Sequence, residues 1–152
     1  MHRKISYIRN IEIIEKELND SPGGVLAFNV DAEKAMQYPT TFLYLDKNVY
    51  FFLDKDDEVY EKIHFNGHAS FTILKDGRLK KHRIKEDSYY LFSATVVGII
   101  RIVDEQKTID EIKSKYMAKY SLKKGFELKS SQLKELIMID TEEIQAVEEE
   151  GI

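Results

Sequence analysis

The sequence predicts a mainly β protein in which an antiparallel barrel carries helices on its outside. The first observation is a pair of apolar runs at 41–45 and 49–53, separated only by 46–48, a break short enough to force an antiparallel hairpin. The second is the longest apolar segment, 89–103, whose β-branched residues favour a strand over a helix. The third is the continuity of these runs, which is typical of strands covered on both faces or of a barrel wall.

The chain has 152 residues, enough for one domain (1–152) with a substantial core. Its formal net charge of -4 argues against a nucleic-acid or anionic-membrane partner. No apolar stretch approaches the roughly 18 residues of a membrane span, and no signal-peptide core follows the basic start. Without cysteine there are no disulfides, no thiol catalysis and no thiolate metal site. The expected location is cytoplasmic.

The first half of the chain is predicted to contain two helices, one on each side of the hairpin. The first helix covers 9–20 and has Asn10 as its cap. The second has Asp56 or Asp57 as its cap and is ended by the Asn-Gly pair at 66–67 in a left-handed conformation. The other predictions are a strand at 25–30, a loop with one helical turn at 31–37, and a strand at 70–74.

The second half is predicted to contain strands and one longer helix. An Asp-Gly turn at 76–77 leads into a polar strand at 78–84. In the long apolar strand that follows, Gly98 indicates a bulge or a bend. A capping box at 108–111 opens a helix that runs to about residue 119. The other predictions are a helical turn at 130–135, a closing strand at 136–140, and a mobile acidic tail at 144–152.

The sequence contains no known catalytic motif built from side chains alone. The sequence has no glycine-rich phosphate loop, no nucleophile elbow and no cysteine nucleophile. His64 and His68 have the spacing of a metal pair, but the Asn-Gly pair between them ends the helix, so no metal site is predicted. Arg101 is a lone charge in an apolar strand and needs a partner if it is buried. If the protein is an enzyme, a bound cofactor must carry the reaction.

Five segments carry a resemblance to a known fold: GGVLAFNV after the first helix, YPTTFLYLDKNVYFFLD, ASFTIL, YYLFSATVVGIIRIVDE and LIMID. In their order and landmark residues they resemble the FMN-binding split barrel of the pyridoxamine 5'-phosphate oxidase-like superfamily. The likeness is closest to its small nitroimidazole-resistance and flavin-reductase-like members. It implies a six- to seven-stranded antiparallel split β-barrel with peripheral helices, and a homodimer that binds FMN in clefts between its two barrels.

The resemblance also implies an oxidoreductase that acts on a small molecule, and it implies positions for the flavin. The first hairpin strand would meet the isoalloxazine ring and the ribityl chain, and the end of the second strand would cover the ring edge. Lys55 and Lys62, together with Arg101, would bind the phosphate. The implied ring positions are Pro39, Thr40, Thr41 and Phe42, followed by Phe52, Leu53 and Asp54.

The phosphate position departs from the family pattern. Residues 54–62 hold five carboxylates and two lysines, where the family usually has a basic pair. Carboxylates close to a phosphate oppose its binding because the charges have the same sign. The alternative is therefore a split-barrel dimer that binds haem or deazaflavin, or one that is not catalytic. His64, His68 and His82 are the candidate axial ligands for haem.

Overall fold

The computed structural model describes residues 2–76, 89–121 and 128–151. Within those ranges eight strands form one antiparallel sheet, accompanied by three helices and a 3₁₀ turn. The helices are α1 (Ile11–Asp20), α2 (Glu58–Lys62) and α3 (Gln106–Ser121), and the 3₁₀ turn is Ser130–Gln132. The strands are β1 (Arg3–Ile8), β2 (Gly24–Asn29), β3 (Ala35–Thr40), β4 (Leu43–Leu45), β5 (Asn48–Leu53), β6 (His68–Asp76), β7 (Tyr89–Ile102) and β8 (Glu135–Gly151).

The strands follow the order β3-β2-β6-β7-β8-β5-β4, and β1 pairs with β8 beside that path. The sheet curls into a half-barrel, which confirms the predicted mainly β split barrel with peripheral helices. Seven of the eight described strands form the half-barrel, and β1 pairs with β8 outside that path; β1 and β3 were not predicted as strands. Both are edge strands that alternate between exposed and half-buried residues, so neither contains an apolar run.

The strand β5 is buried on both faces, as its continuous apolar sequence predicts. Val49, Phe51 and Leu53 point into the barrel core, to which α1 and α2 also contribute. Tyr50 and Phe52 point the other way, into a second cluster formed with α3. The hairpin therefore separates the barrel interior from the layer beneath α3.

The predicted hairpin joins β4 and β5 through a two-residue turn, because Leu45 pairs with Asn48. Asp46 and Lys47 have φ values of 50° and 70°. A two-residue turn of this kind requires left-handed backbone at both of its central positions. The first strand is shorter than the predicted 41–45 because its first two residues leave the sheet and contact α3.

The strand β8 pairs with three other strands of the sheet. Its 17 residues pair with β7 along the length of the strand, with β5 on the first part and with β1 on the last part. The acidic segment 144–151, predicted as a mobile tail, is therefore held between two strands. That prediction is wrong because the glutamates lie on a strand whose other residues, such as Ala146, reach the core.

Gly98 lies at an irregularity in the β7–β8 ladder, which confirms the predicted bulge. The register shifts between Val97 and Gly98 and leaves Glu142 as the extra residue on β8. A Cβ atom at Gly98 would overlap the carbonyl oxygen of Asp140. The two backbones can therefore approach this closely only with glycine at position 98.

Two of the helices begin where the sequence indicates. Asn10 caps α1 by accepting the backbone N–H of Glu12 at 3.0 Å, as predicted. Asp57 precedes α2 at the cap position, but its side chain makes no capping hydrogen bond. The end of α2 was predicted incorrectly, because the helix stops at Lys62 and the left-handed Asn66, with φ of 71°, lies in a later turn.

The capping box predicted for α3 is wrong. The helix begins at Gln106, so Thr108 lies inside its first turn. The Thr108 hydroxyl donates to the carboxylate of Glu105 at 3.2 Å instead of capping a backbone N–H. A polar side chain near the start of a helix can cap a backbone N–H or bond a neighbouring side chain, and the sequence pattern does not distinguish these two roles.

The helical turn predicted at 31–37 is also wrong, because β3 begins at Ala35. The Asp31 carboxylate accepts the backbone N–H groups of Glu33 and Lys34 and so closes a tight turn between β2 and β3. The 3₁₀ turn falls inside the predicted 130–135. The polar strand predicted at 78–84 lies outside the described residues.

Candidate functional site

A groove of about 720 Å³ lies on the outer face of the sheet, where β2, β3 and β6 run side by side. Alternation along β2 explains which side chains reach it. Leu26 and Phe28 point into the core, so Val25 and Ala27 point outward into the groove. The same alternation turns Thr72 of β6 outward.

The groove has apolar walls with hydroxyl groups along them. Val25, Ala27, Pro39 and Leu74 supply apolar surface, and none of the described lining residues is charged. Its volume falls in the range of about 300–1,000 Å³ that is usual for small-molecule sites. The groove therefore suits a flat, mostly apolar ligand with a few polar groups at its edge. The hydroxyl groups belong to Thr40, Thr41 and Thr72.

One wall of the groove depends on a glycine. A Cβ atom at Gly24 would overlap the ring of Phe71 and lie 2.9 Å from the carbonyl oxygen of Thr72. The segment that enters β2 can therefore lie directly against β6 only because position 24 has no side chain. A larger residue there would push this wall outward and change the shape of the groove.

The helix α3 ties the two sides of the groove together through Tyr120. The Tyr120 hydroxyl accepts the backbone N–H of Phe42 at 3.0 Å and donates to the carbonyl oxygen of Pro22 at 2.8 Å. Lys119 donates to the Phe42 carbonyl oxygen at 2.9 Å, and its ammonium group lies 3.9 Å from the centre of the Phe42 ring. Burial raises the pKa of Tyr120 to about 12.

A second tyrosine of α3 contacts a residue that lines the groove. The Tyr116 hydroxyl lies 2.6 Å from Oγ1 of Thr41. The Phe52 ring packs edge-on against Tyr116 with 5.1 Å between ring centres, and the Tyr120 ring lies 5.3 Å away. Burial raises the pKa of Tyr116 far above its ordinary value. Tyr116 is therefore a neutral phenol held in a fixed position behind the groove.

The predicted ring positions fall into two groups. Pro39, Thr40 and Thr41 come together along the groove. Phe42, Phe52 and Leu53 are buried behind it, whereas Asp54 lies half-exposed after β5. Phe42 and Leu53 belong to the barrel core, and Phe52 packs in the layer beneath α3.

The predicted ring position Asp54 and the predicted phosphate ligand Lys55 lie after β5, apart from the groove, and each is paired with an opposite charge. Asp54 pairs with Lys134 at 3.4 Å, and Lys55 pairs with Glu135 at 3.7 Å. A hydrogen bond from the backbone N–H of Asp56, helped by Lys134, lowers the pKa of Asp54. Asp54 is therefore held in its charged form, and this stretch does not fit a phosphate.

The two remaining predicted phosphate ligands also lie off the groove. Lys62 is exposed at the end of α2. Arg101 is half-exposed on β7, where its guanidinium donates to Asp140 at 3.1 Å and to the Asn66 side-chain oxygen at 3.3 Å. Arg101 therefore has the partner that the sequence required, and that partner is a carboxylate of this chain.

Sequence reasoning missed the roles of Tyr116, Tyr120 and Lys119. Both tyrosines lie on the buried face of α3, together with Ile112. The available signal was the phenol hydroxyl, because a buried tyrosine usually finds a hydrogen-bond partner. The partner itself could not be read from the sequence, because it lies more than seventy residues away.

His64 and His68 contact separate parts of the protein, and His82, the third candidate haem ligand, lies outside the described residues. Nε2 of His64 lies 2.5 Å from the carbonyl oxygen of Val30, and His68 lies 2.7 Å from Glu142. Within the ranges that the structure describes, no group of three or more histidines and carboxylates is placed to hold a metal ion. None of the described helices is long and apolar enough to cross a membrane.

The fold has counterparts among solved structures, although no protein-family model and no curated protein matches the sequence. One is assigned as a 5-nitroimidazole antibiotic resistance protein from Bacteroides thetaiotaomicron: TM-score 0.74, 14% identity, 99% of this chain and 90% of that one covered. A second is an FAD-binding protein from Mesorhizobium loti: TM-score 0.69, 16% identity, coverages of 97% and 98%. A third is assigned as a pyridoxamine 5'-phosphate oxidase from Corynebacterium glutamicum: TM-score 0.61, 16% identity, coverages of 97% and 95%.

These neighbours share the split-barrel fold of this chain. They are the kinds of protein that the sequence resemblance named, so the fold that it implied is confirmed. At 14% to 16% identity the likeness is one of fold, and the function must be argued from the groove.

Proposed function

We propose that this protein binds a flavin with its ring in the groove on the outer face of the sheet. The observation that carries the proposal is the groove of about 720 Å³, with its apolar walls and threonine hydroxyls. An isoalloxazine ring is flat, apolar on both faces and hydrogen-bonding at its edges, which matches such walls. The fold likeness to an FAD-binding protein supports the proposal.

FMN is the proposed form of the flavin, with its phosphate bound outside the stretch 54–62. In that stretch Asp54 and Lys55 are paired with Lys134 and Glu135, so a phosphate would have to displace a carboxylate and lie beside others. We therefore assign the ring to the groove and assign no phosphate ligand from this stretch.

We also propose a homodimer in which two copies meet on the outer face of the sheet. Tyr7, Val147, Ser93 and Leu74 stand in register across β1, β8, β7 and β6. Leu74 is 70% exposed and Tyr7 is 65% exposed, and an exposed apolar patch of this kind is typical of an interface. Because Leu74 also lines the groove, a second copy on this face would cover part of it.

The proposed activity is that of an oxidoreductase acting on a small molecule. A bound flavin supplies hydride or electron transfer, and the protein supplies position and electrostatics. Among the groove residues, Val25 and Pro39 would contact the ring faces, and Thr41 would bind a polar edge. The second candidate function is a dimer that binds haem or deazaflavin, because the paired Lys55 and the carboxylates near α2 oppose an FMN phosphate at that position.

The test is the visible absorption spectrum of freshly purified protein, with and without added FMN. We expect a bound flavin band or saturable uptake of one FMN per chain. Val25→Trp fills the groove and should weaken FMN binding at least about tenfold. Ile102→Trp, an exposed position at the end of β7, is the matched control and should bind as the unsubstituted protein does.

Each alternative has a distinct result. Colourless protein that takes up no FMN would contradict the flavin proposal, and a haem band would favour the second candidate. FMN binding that is equally tight in Val25→Trp would place the flavin outside the groove.

A further inference from the structure

We infer that Tyr116 is a positioning residue that fixes the Thr41 hydroxyl as a hydrogen-bond donor into the groove. The groove would then select ligands that present an acceptor at this point, either a carbonyl oxygen or an unprotonated ring nitrogen. The inference rests on the proposed function, because it concerns the ligand of the same groove. It specifies which oxygen is the donor in the hydrogen bond between Tyr116 and Thr41.

The Tyr116 phenol is buried against Thr41. Tyr116 is 1% exposed, and Oγ1 of Thr41 at 2.6 Å is the hydrogen-bond partner of its hydroxyl within the described residues. The distance is the same whichever oxygen donates. The direction must therefore be decided from what each oxygen would otherwise lack.

The hydrogen bond between Tyr116 and Thr41 can run in either direction. If Thr41 donated to Tyr116, the phenol hydrogen would be buried without an acceptor, which is strongly unfavourable. If Tyr116 donates, its hydrogen is satisfied and Thr41 serves as the acceptor. Burial also raises the pKa of Tyr116, so the phenol keeps the proton that it donates. Tyr116 is therefore the donor and Thr41 the acceptor.

The Thr41 hydroxyl keeps its own hydrogen when Tyr116 is the donor. Thr41 lines the groove and is half-buried, so its own hydroxyl hydrogen is available on the groove side. Phe52 packs edge-on against the Tyr116 ring and holds the phenol in place. Because Thr41 accepts from Tyr116, that bond does not use the hydrogen of Thr41, which can be donated into the groove. A ligand with an N–H at the same point could use only the second lone pair of Oγ1, and the Thr41 hydrogen would then have no acceptor on the ligand.

A hydrogen bond that is received also strengthens the one that is donated. A hydroxyl that accepts from a phenol is a better donor to the next group in the chain. Removal of the Tyr116 hydroxyl should therefore weaken a ligand contact that Tyr116 does not make itself. The effect should vanish when Thr41 has no hydroxyl.

The direction can be tested in ligand-free protein by urea unfolding. Thr41→Val leaves the buried phenol hydrogen without an acceptor and should lower the folding equilibrium constant by about five- to fiftyfold. Tyr116→Phe leaves only a half-exposed threonine without its partner and should cost less. The double variant removes both groups and should recover part of the loss caused by Thr41→Val alone.

The consequence for the ligand is tested by FMN titration of the same variants. Thr41→Val should weaken FMN binding by about five- to tenfold, and Thr41→Ser should restore it. Tyr116→Phe should weaken it by about two- to threefold in the presence of Thr41 and should have no effect in the Thr41→Val background. A merely structural role for Tyr116 would give the same loss in both backgrounds.

The outcomes separate this inference from the function on which it rests. If unsubstituted protein binds FMN but Tyr116→Phe stabilises the ligand-free protein, or Thr41→Val binds FMN normally, the inference is wrong and the flavin function stands. If unsubstituted protein takes up no FMN, the proposed function is wrong and the ligand selection inferred here falls with it.

Discussion

Two phenol groups on α3 hold the segment that follows β3. Tyr120 joins the backbones of Phe42 and Pro22, and Tyr116 holds the side chain of Thr41. Both rings are buried, so each hydrogen bond is made without competition from water. At the scale of single residues, the groove therefore has its shape because a helix from later in the chain fixes its rim.

Tyr120 should make stability depend on pH in the alkaline range. Its pKa is raised from 10.0 to about 12 by burial, so the native state retains a proton that the unfolded chain loses. This contribution is complete below about pH 10 and is lost as the pH rises toward 12, by at most about 1.4 kcal/mol per pH unit. We expect urea unfolding between pH 9 and 12 to show a shallower decline in Tyr120→Phe than in unsubstituted protein.

Equal slopes in Tyr120→Phe and unsubstituted protein would contradict the assignment of this pH dependence to Tyr120.

At the scale of elements, the strand β8 joins the two halves of the sheet. It pairs with β7 throughout, and it exchanges β5 for β1 as its other neighbour along its length. The register shift beside Gly98 lies between the β5 part and the β1 part. A bulge increases local twist, so it allows one strand to serve two differently directed neighbours.

Gly98→Ala should destabilise the protein by at least about 2 kcal/mol. The added Cβ would overlap the carbonyl oxygen of Asp140, which is backbone and cannot turn aside. Ser93→Ala on the same strand is the control and should change the free energy of unfolding by less than about 0.5 kcal/mol. Chemical denaturation measures both. A Gly98→Ala variant as stable as Ser93→Ala would mean that the two strands can separate here without cost.

At the scale of the whole molecule, the outer sheet face combines the groove with an exposed apolar row. Ser93, Thr95 and Val97 on β7 present small or β-branched side chains on this face. A second sheet can therefore approach closely, as it does in packed β-sandwiches. The proposed flavin site and the proposed dimer interface would then be parts of one continuous surface.

Tyr7→Glu should convert the proposed dimer into monomers. It places a charge in the row formed with Val147, Ser93 and Leu74, and a buried charge without a partner opposes association. Light scattering at several protein concentrations measures the mass. Ile102→Glu alters an exposed apolar residue outside this row and should leave the mass unchanged. Unsubstituted protein that is monomeric at every concentration would contradict the proposed homodimer.

The sequence by itself determined the fold class, the β4–β5 hairpin, the Asn10 cap and the bulge at Gly98. Each follows from a local pattern, because a strand, a turn or a cap is decided by residues close together in the chain. The sequence did not predict the strands β1 and β3, or the continuation of β8 to Gly151. Their residues are polar enough to resemble loops, and they become strands because a neighbouring strand offers hydrogen bonds.

Only the tertiary structure decided the groove. Pairing of β2 with both β3 and β6 brings Val25, Pro39 and Thr72 together, although they are distant in the sequence. The same is true of Tyr116, whose place behind Thr41 depends on how α3 packs on the hairpin. Sequence patterns report which face of an element is buried, whereas the atom that a buried hydroxyl meets is set by packing between distant elements.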